Sequence, residues 1–260
     1  MRPYWAAFKV TLQNTLRYRA NVFFYLSLVL VPPLAMFFLW RTVLGETGSL
    51  STYTLRDMVT YYLVTQFFGS LLPAAWTDIG RSIRTGEISR WLVRPASHFG
   101  LFLAQSLGVT AVLAGVSLAG WLVLVAVLRG YFLWPHPGDA ILAVAFWIGG
   151  GLVYYLWGYL LNLLAFWTER AQGVWGLEDA LVWFLGGAII PLDVLPLREV
   201  WLALPFRFFG FLPAQVFLGR LGQGEILREF VGLILWLTIL GSVVFLAWRR
   251  GLRRYQAPGG

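Results

Sequence analysis

Five stretches of the chain are almost entirely apolar and carry charged residues only at their ends. They predict membrane-spanning helices at about residues 22–40, 58–78, 101–128, 140–167 and 230–248. Each stretch is ~19 or more residues long, and a helix of that length crosses the roughly 30 Å hydrocarbon core of a bilayer. The composition agrees with this prediction, because 59% of the residues are hydrophobic and only 12% are charged.

A sixth span is predicted at residues 174–197, although its pattern is weaker. Its charge-free centre covers only residues 180–192, and Glu178, Asp179 and Asp193 lie at its edges. A helix shorter than the bilayer is accommodated when flanking polar groups reach the interface. An even number of spans is also what the distribution of charge requires.

The charged residues outside the spans are unequally divided between the two sides of the membrane. With six spans, both termini and the second and fourth loops share one side, and that side carries the whole formal net charge of +8. Short loops rich in Lys and Arg stay in the cytoplasm, so both termini are predicted to be cytoplasmic. The basic balance therefore indicates topology and contact with anionic membrane lipids, and it gives no reason to expect a nucleic-acid partner.

The first 20 residues predict an amphipathic helix that lies at the inner membrane interface. Its apolar positions share one helical face, and the basic residues lie elsewhere on the helix. The apolar positions are Trp5, Phe8, Leu12 and Leu16.

Residues 198–228 predict short re-entrant or interfacial helices on the outer side, between spans five and six. The run "VWLALPFRFFGFLPAQVFLG" is apolar enough to suggest a seventh span. However, Pro205, Gly210 and Pro213 interrupt it, and Arg207 is costly in the middle of a bilayer. Broken helices of this kind are stable where neighbouring helices satisfy their backbone groups.

The stretch "RSIRTGEISRWLVRP" predicts a bent cytoplasmic elbow at residues 79–98, between spans two and three. Gly86 divides the stretch, and after it charged and apolar residues fall on opposite faces of a short helix. The charged face holds Glu87, Arg90 and Arg94, and the apolar face holds Ile88, Trp91 and Leu92. A solvated loop that contacts lipid headgroups is the alternative interpretation.

No catalytic, cofactor or metal site is predicted from the sequence. Lys9 is the only lysine and no GxxxxGK[ST] phosphate-binding loop surrounds it, so ATP binding by that route is excluded. Cysteine is absent, and the two histidines, His98 and His136, are predicted on opposite sides of the membrane. This arrangement disfavours a zinc site and an intramembrane hydrolase.

Polar and small residues inside the spans predict helix packing. Gln66 and Asn162 are isolated amides, which bridge neighbouring helices more often than they bind substrate. The small residues Ala111, Gly115 and Ala119 recur every four positions, which predicts close helix contact there. The five strongest spans hold no ionisable residue at their centres, and this argues against an ion-coupled carrier.

The layout resembles the permease subunit of ABC type-2 transporters. The resemblance rests on "IRTGEISRWLVRP", similar to the family's Gly-containing elbow, and on "IIPLDVLPLREVWLALPFRFFGFLP", similar to its Pro-punctuated outer helices. It extends over essentially the whole chain. The fold it implies is all-α, with six spans, both termini cytoplasmic, an N-terminal amphipathic helix, the elbow and the outer hairpin.

The resemblance also implies partners and a role for the elbow. In this family two ATP-binding cassette subunits, which hold ATP and Mg²⁺, dock under the membrane, and the elbow acts as a coupling helix. The permease pairs with a second permease, identical or homologous, in the plasma (inner) membrane of a prokaryote. The positions carried over for coupling are Arg84, Gly86, Glu87, Ile88, Arg90, Trp91, Leu92 and Arg94.

Within this set the residue types divide the expected work. Gly86 supplies the bend, and Ile88, Trp91 and Leu92 form the face buried in an ATPase groove or against the N-terminal helix. The charged positions make polar contacts, and Arg84 could equally meet a lipid phosphate. The expected function is that of a non-enzymatic permease in an ABC exporter for an amphipathic or hydrophobic solute. The alternative is a secondary carrier or channel-like protein that uses no ATPase.

Overall fold

The computed structural model describes residues 2–17, 19–45, 48–73, 78–93, 96–168 and 182–255. This part of the chain is helical apart from turns and one pair of two-residue antiparallel strands, β1 (Ser49–Leu50) and β2 (Tyr53–Thr54). The helices are α1 (Arg2–Arg17), α2 (Arg19–Leu44), α3 (Leu55–Ser70), α4 (Asp78–Arg84), α5 (Ile88–Leu92), α6 (His98–Val127), α7 (Pro137–Leu163), α8 (Arg198–Ala203), α9 (Phe211–Phe217) and α10 (Gln223–Arg254). Turns of 3₁₀ helix lie at Leu164–Phe166, Leu192–Val194 and Pro205–Phe208.

Four helices in the described part of the chain are long and apolar enough to cross a membrane. They are Phe24–Leu44, His98–Val127, Pro137–Phe166 and Gln223–Arg254. They coincide with the predicted first, third, fourth and sixth spans, so the prediction of a long apolar helix is confirmed at these four places. The molecule is an all-α membrane protein, and the total of six spans stays a prediction.

The predicted second span, residues 58–78, is not one continuous helix. Helix α3 ends at Ser70, after 16 residues or about 24 Å, and residues 71–73, which follow it, are not helical. Pro73 follows the end of α3, and its ring approaches Gly151 in the middle of α7. A proline has no backbone N–H and clashes with the preceding turn, so the helix stops before it. The prediction is therefore wrong at residues 71–73, and residues 74–77 lie outside the described residues.

Helix α3 is the centre of the hydrophobic core. Its shortness is tolerated because other helices surround it and complete its hydrogen bonding. Near its C-terminal end, the Trp147 indole N–H donates to the Phe68 carbonyl at 3.1 Å, and the Tyr25 hydroxyl donates to the Ser70 carbonyl at 3.0 Å. These carbonyls belong to the last turn, which lacks the usual i+4 backbone donors, and the Phe68 carbonyl also accepts from the Leu71 N–H at 3.1 Å. The buried residues of α3 are Leu55, Met58, Val59, Thr60, Tyr61, Tyr62, Leu63, Val64, Thr65 and Phe68.

The predicted fifth span, residues 174–197, lies partly outside the described residues, which resume at 182. One helical turn at 182–185 is followed by Gly187 with φ +77° and by the 3₁₀ turn Leu192–Val194. The Tyr61 hydroxyl donates to the Gly187 carbonyl at 2.6 Å, which fixes this turn against α3. The helix therefore does not continue to residue 197, and that end of the prediction is wrong.

The segment between the fifth and sixth predicted spans folds into three short helical pieces: α8, the 3₁₀ turn Pro205–Phe208, and α9. No continuous seventh span forms over these residues. The pieces pack between α3, α7 and α10. Arg207 forms an ion pair with Glu229 of α10 at 2.9 Å, and both side chains are largely buried. A buried cation is thus balanced by a buried anion, as its desolvation requires.

Helix α1 packs along the first half of α6. The Tyr4 hydroxyl accepts a hydrogen bond from the Ser97 backbone N–H at 3.0 Å, and a Cβ at Gly108 would lie 2.7 Å from the Phe8 carbonyl oxygen. Trp5 remains exposed and stacks on Phe8 at 5.2 Å between ring centroids. The interfacial position of α1 relative to a membrane stays a prediction.

The predicted small-residue contact on α6 is not made among the residues that the structure describes. Ala111, Gly115 and Ala119 are all exposed. The glycines that admit a neighbouring helix are instead Gly108, where α1 packs, and Gly120, where a Cβ would lie 2.9 Å from a methyl group of Val29 in α2. In the described residues, α6 therefore meets α1 and α2 at Gly108 and Gly120, and the contact predicted at the three other positions stays a prediction.

Candidate functional site

The elbow consists of α4, a turn at Gly86, and α5. The turn closes when the Thr85 backbone N–H donates to the Arg81 carbonyl at 2.9 Å and Gly86 adopts φ +78°. This is the left-handed region, which glycine occupies without the steric cost that a Cβ would bring. The next helix then starts at once, because the Ser89 N–H donates to the Gly86 carbonyl at 3.1 Å. Gly86 therefore lies at the bend, as its place in the sequence predicts.

The inner side of the elbow is anchored by isoleucines. Ile79 and Ile83 of α4 are buried, one helical turn apart, and Ile88 of α5 is completely buried. All three belong to the hydrophobic core of the chain. Ile88 thus faces the core of this chain and holds α5 in place, so it does not offer a surface to a separate partner.

Asn162 joins the elbow to α7. Its Oδ1 accepts a hydrogen bond from the Gly80 backbone N–H at 3.0 Å, and its Nδ2 donates to the Gly158 carbonyl at 2.8 Å. Within the described residues, which include α4 only from Asp78 onward, the Gly80 N–H has no acceptor in its own helix. A Cβ at Gly80 would come within 3.1 Å of the same oxygen, so glycine allows this approach. The prediction that Asn162 bridges helices is confirmed.

The second arm of the elbow contacts two further long helices. The ring of Trp91 packs edge-on against Phe102 of α6, with centroids 6.0 Å apart. The Ser89 hydroxyl lies 3.0 Å from the hydroxyl of Tyr255, which directly follows α10. Together with the Asn162 contact, these interactions tie the elbow to α6, α7 and α10 at the same end of the molecule.

The outer side of the elbow mixes charged and apolar residues. Glu87 and Arg90 are exposed, and Arg84 is half-buried. Leu92 is 44% exposed and Val93 is 83% exposed, which is high for apolar residues at the end of a helix. This side therefore offers a small apolar tip beside charges of both signs, a combination that suits contact with another protein.

The eight predicted coupling positions thus separate into different roles. Gly86 makes the bend, Ile88 is internal, Trp91 is half-buried against α6, and the exposed side holds Glu87, Arg90 and Leu92, with Arg84 half-buried. Arg94 lies outside the described residues. Sequence reasoning missed Val93, Gly80 and Tyr255. Val93 precedes Arg94 and Pro95 in the chain, and the proximity of that proline was the available signal that the helix ends there.

A second polar cluster lies at the opposite end of the molecule, where it joins β2, the 3₁₀ turn Leu192–Val194 and α9. The Tyr53 hydroxyl donates to both carboxylate oxygens of Asp193, at 2.8 and 2.9 Å, and Gln215 of α9 contacts both residues. The guanidinium of Arg220 lies 3.8 Å from the centre of the Tyr53 ring. Burial and the adjacent Asp193 carboxylate raise the pKa of Tyr53, so its hydroxyl stays protonated and continues to donate.

These features define a class of protein: a helical membrane subunit whose long helices converge on a charged elbow. A family model described as "ABC-2 family transporter protein" matches residues 30–259. The chain therefore belongs to the ABC-2 family of transporter proteins. A comparison with curated proteins gives no match. Membership makes the chain a multi-pass permease of an ABC transporter, a type of subunit that works with an ABC ATPase and is generally not itself catalytic.

Proposed function

We propose that this chain is the permease of an ATP-driven exporter for an amphipathic or hydrophobic solute. Two ATP-binding cassette subunits, which hold ATP and Mg²⁺, dock on the exposed side of the elbow. The chain pairs with a second permease, identical or homologous, in the plasma (inner) membrane of a prokaryote. Both termini and the elbow lie on the cytoplasmic side.

The observation that carries this proposal is the two-sided construction of the elbow. One side is buried and joined to α6, α7 and α10, and the other side is exposed and mixed in charge. A partner that moves the exposed side therefore moves three long helices at once, because densely packed contacts transmit displacement.

The residues divide this work between them. Glu87, Arg90, Leu92 and Val93 contact the ATPase, and Gly86 sets the angle between the two arms. Ile88 and Trp91 hold the elbow against the permease. Arg84 and Arg94 make additional polar contacts, to the ATPase or to lipid phosphate.

The first test is co-purification. The full chain, solubilised gently from its native membrane, is expected to carry an ATPase with it, and the reconstituted complex is expected to transport only when ATP is present. Purified chain that transports solute without a partner and without ATP would establish the carrier or channel alternative instead.

A second test addresses the exposed side of the elbow. Glu87→Arg reverses an exposed charge and is expected to weaken ATPase docking roughly fivefold, since exposed charge pairs contribute little each. Glu199→Arg is the matched control, because Glu199 is also exposed, on α8 at the opposite end of the molecule. If the two variants stimulate the ATPase equally, the elbow is not part of the docking surface.

A further inference from the structure

A cavity of about 510 Å³ lies next to the elbow, between α5, α6, α7 and α10. Its walls are largely aromatic. Its lining includes Trp91, His98, Tyr159, Gly241, Phe245 and Trp248. Ligand-binding pockets in proteins have volumes of roughly 300–1,000 Å³, so the cavity is large enough for a small molecule.

The cavity is accessible from outside the chain at Gly241 of α10. A Cβ built on Gly241 would meet no atom within 4 Å, although this residue lines the cavity. Phe245, one helical turn further on, is 56% exposed. The space is therefore bounded by well-packed helices on one side and is accessible along α10 on the other.

His98 supplies the polar group of the cavity. Its side chain is only 6% exposed, and its Nδ1 lies 2.9 Å from the Tyr159 hydroxyl. The rings of Phe102 and Trp248 lie at 4.5 and 4.9 Å from the imidazole. The remaining nitrogen, Nε2, has no hydrogen-bond partner among the residues that the structure describes. A buried polar nitrogen of this kind costs free energy until a ligand or water bonds to it.

The lining also defines the charge of a suitable ligand. The described residues around the cavity include no Asp, Glu, Lys or Arg. A charged ligand would find no opposite charge among these described residues to replace its hydration, whereas an uncharged hydroxyl would pair with Nε2. Aromatic walls then cover the apolar body of the same molecule.

We propose that this cavity binds an uncharged amphiphile whose hydroxyl-type head group hydrogen-bonds His98 Nε2 and whose apolar body packs against Phe245 and Trp248. This deepens the proposed function, on which it rests, by naming the class of cargo. Trp91 and Leu92 belong both to the elbow and to the cavity wall. An occupied cavity therefore changes the packing behind the surface on which the ATPase docks.

The test uses the full chain in phosphatidylcholine nanodiscs and a medium-chain alcohol that carries a photoactivatable diazirine. Photolabelling is expected at residues 91–92, 96–99 and 241–248. Gly241→Leu fills the cavity and is expected to lower labelling at least tenfold. Gly224→Leu is the matched control, because it is the same change in the same helix at a site with no atom within 4 Å of the new Cβ and away from the cavity. Equal labelling of the two variants would overturn the site.

The head-group assignment is tested with two analogues of the same chain length, a hydrocarbon and a trimethylammonium. The alcohol is expected to label roughly three- to tenfold more than the hydrocarbon, as one hydrogen bond provides. His98→Phe is expected to abolish that preference while keeping a ring in place. Preferential labelling by the trimethylammonium compound would overturn the assignment of an uncharged ligand.

The cargo assignment has its own readout. The alcohol is expected to stimulate ATP hydrolysis by the complete transporter, and to fail to do so with Gly241→Leu. Labelling without stimulation would identify a resident lipid and overturn the cargo assignment. Because labelling needs no ATPase, a failure of the proposed function is distinguishable from a failure of the cavity site.

Discussion

Replacing Asn162 by leucine is expected to loosen the elbow from α7 while leaving the shape of the core nearly unchanged. The change removes the acceptor of the Gly80 N–H, which is buried at 3.0 Å from Asn162 Oδ1. A buried donor left without an acceptor costs about 1–3 kcal/mol. The population in which α4 is detached therefore rises about 5- to 150-fold, since 1.4 kcal/mol is a factor of ten.

The assay uses the absence of cysteine from the chain. A single Val93→Cys carries a nitroxide label on the exposed tip of the elbow, and its mobility in nanodiscs reports detachment. Gln66→Leu is the matched control, because Gln66 is also an isolated amide that bridges helices, from α3 to the Leu28 carbonyl of α2. Label mobility and ATPase stimulation that are the same in Asn162→Leu and in the parent chain would refute the role of Asn162 in holding the elbow.

Two further substitutions test the bend at Gly86 and the buried ion pair between Arg207 and Glu229. Gly86→Ala forces a Cβ into φ +78° and should destabilise the chain by about 1–2 kcal/mol in thermal unfolding, whereas Gly224→Ala, in an open helical site, should not. Equal melting temperatures would show that the turn relaxes freely. Arg207→Met leaves Glu229 buried and unpaired, which should cost about 3–5 kcal/mol, and Glu229→Leu added to it should recover most of the loss. A double variant no more stable than the single one would contradict this explanation.

The sequence correctly predicted the elements that depend on the order of apolar, charged and glycine residues within a short stretch of chain. Long apolar runs gave the four long helices, and the glycine between two amphipathic turns gave the bend of the elbow. The direction in which each face points was harder to predict. Ile88 and Leu92 share one helical face, yet Ile88 is buried and Leu92 is 44% exposed, because α5 is only five residues long and its end projects beyond the core.

The prolines show that the sequence alone does not determine where a helix ends. Pro32 and Pro33 lie inside α2, which continues through them, whereas α3 ends just before Pro73. Both runs are free of charged residues at their centres, so the sequence predicts two similar spans. At the end of α3, Trp147 and Tyr25 bond the carbonyls that the broken helix exposes. Neighbouring helices therefore decide where a break is tolerated.

The sequence by itself determined that this is a multi-span helical protein with a charged elbow and no phosphate-binding loop of its own. These properties follow from composition, from the period of the α-helix and from motif spacing, all of which are local. Tertiary structure alone decided that Asn162 bonds Gly80, that Arg207 pairs with Glu229, and that His98 faces a cavity with one nitrogen free of described partners. Those contacts join residues that are distant in the chain, and only the packing of the helices brings them within hydrogen-bonding distance.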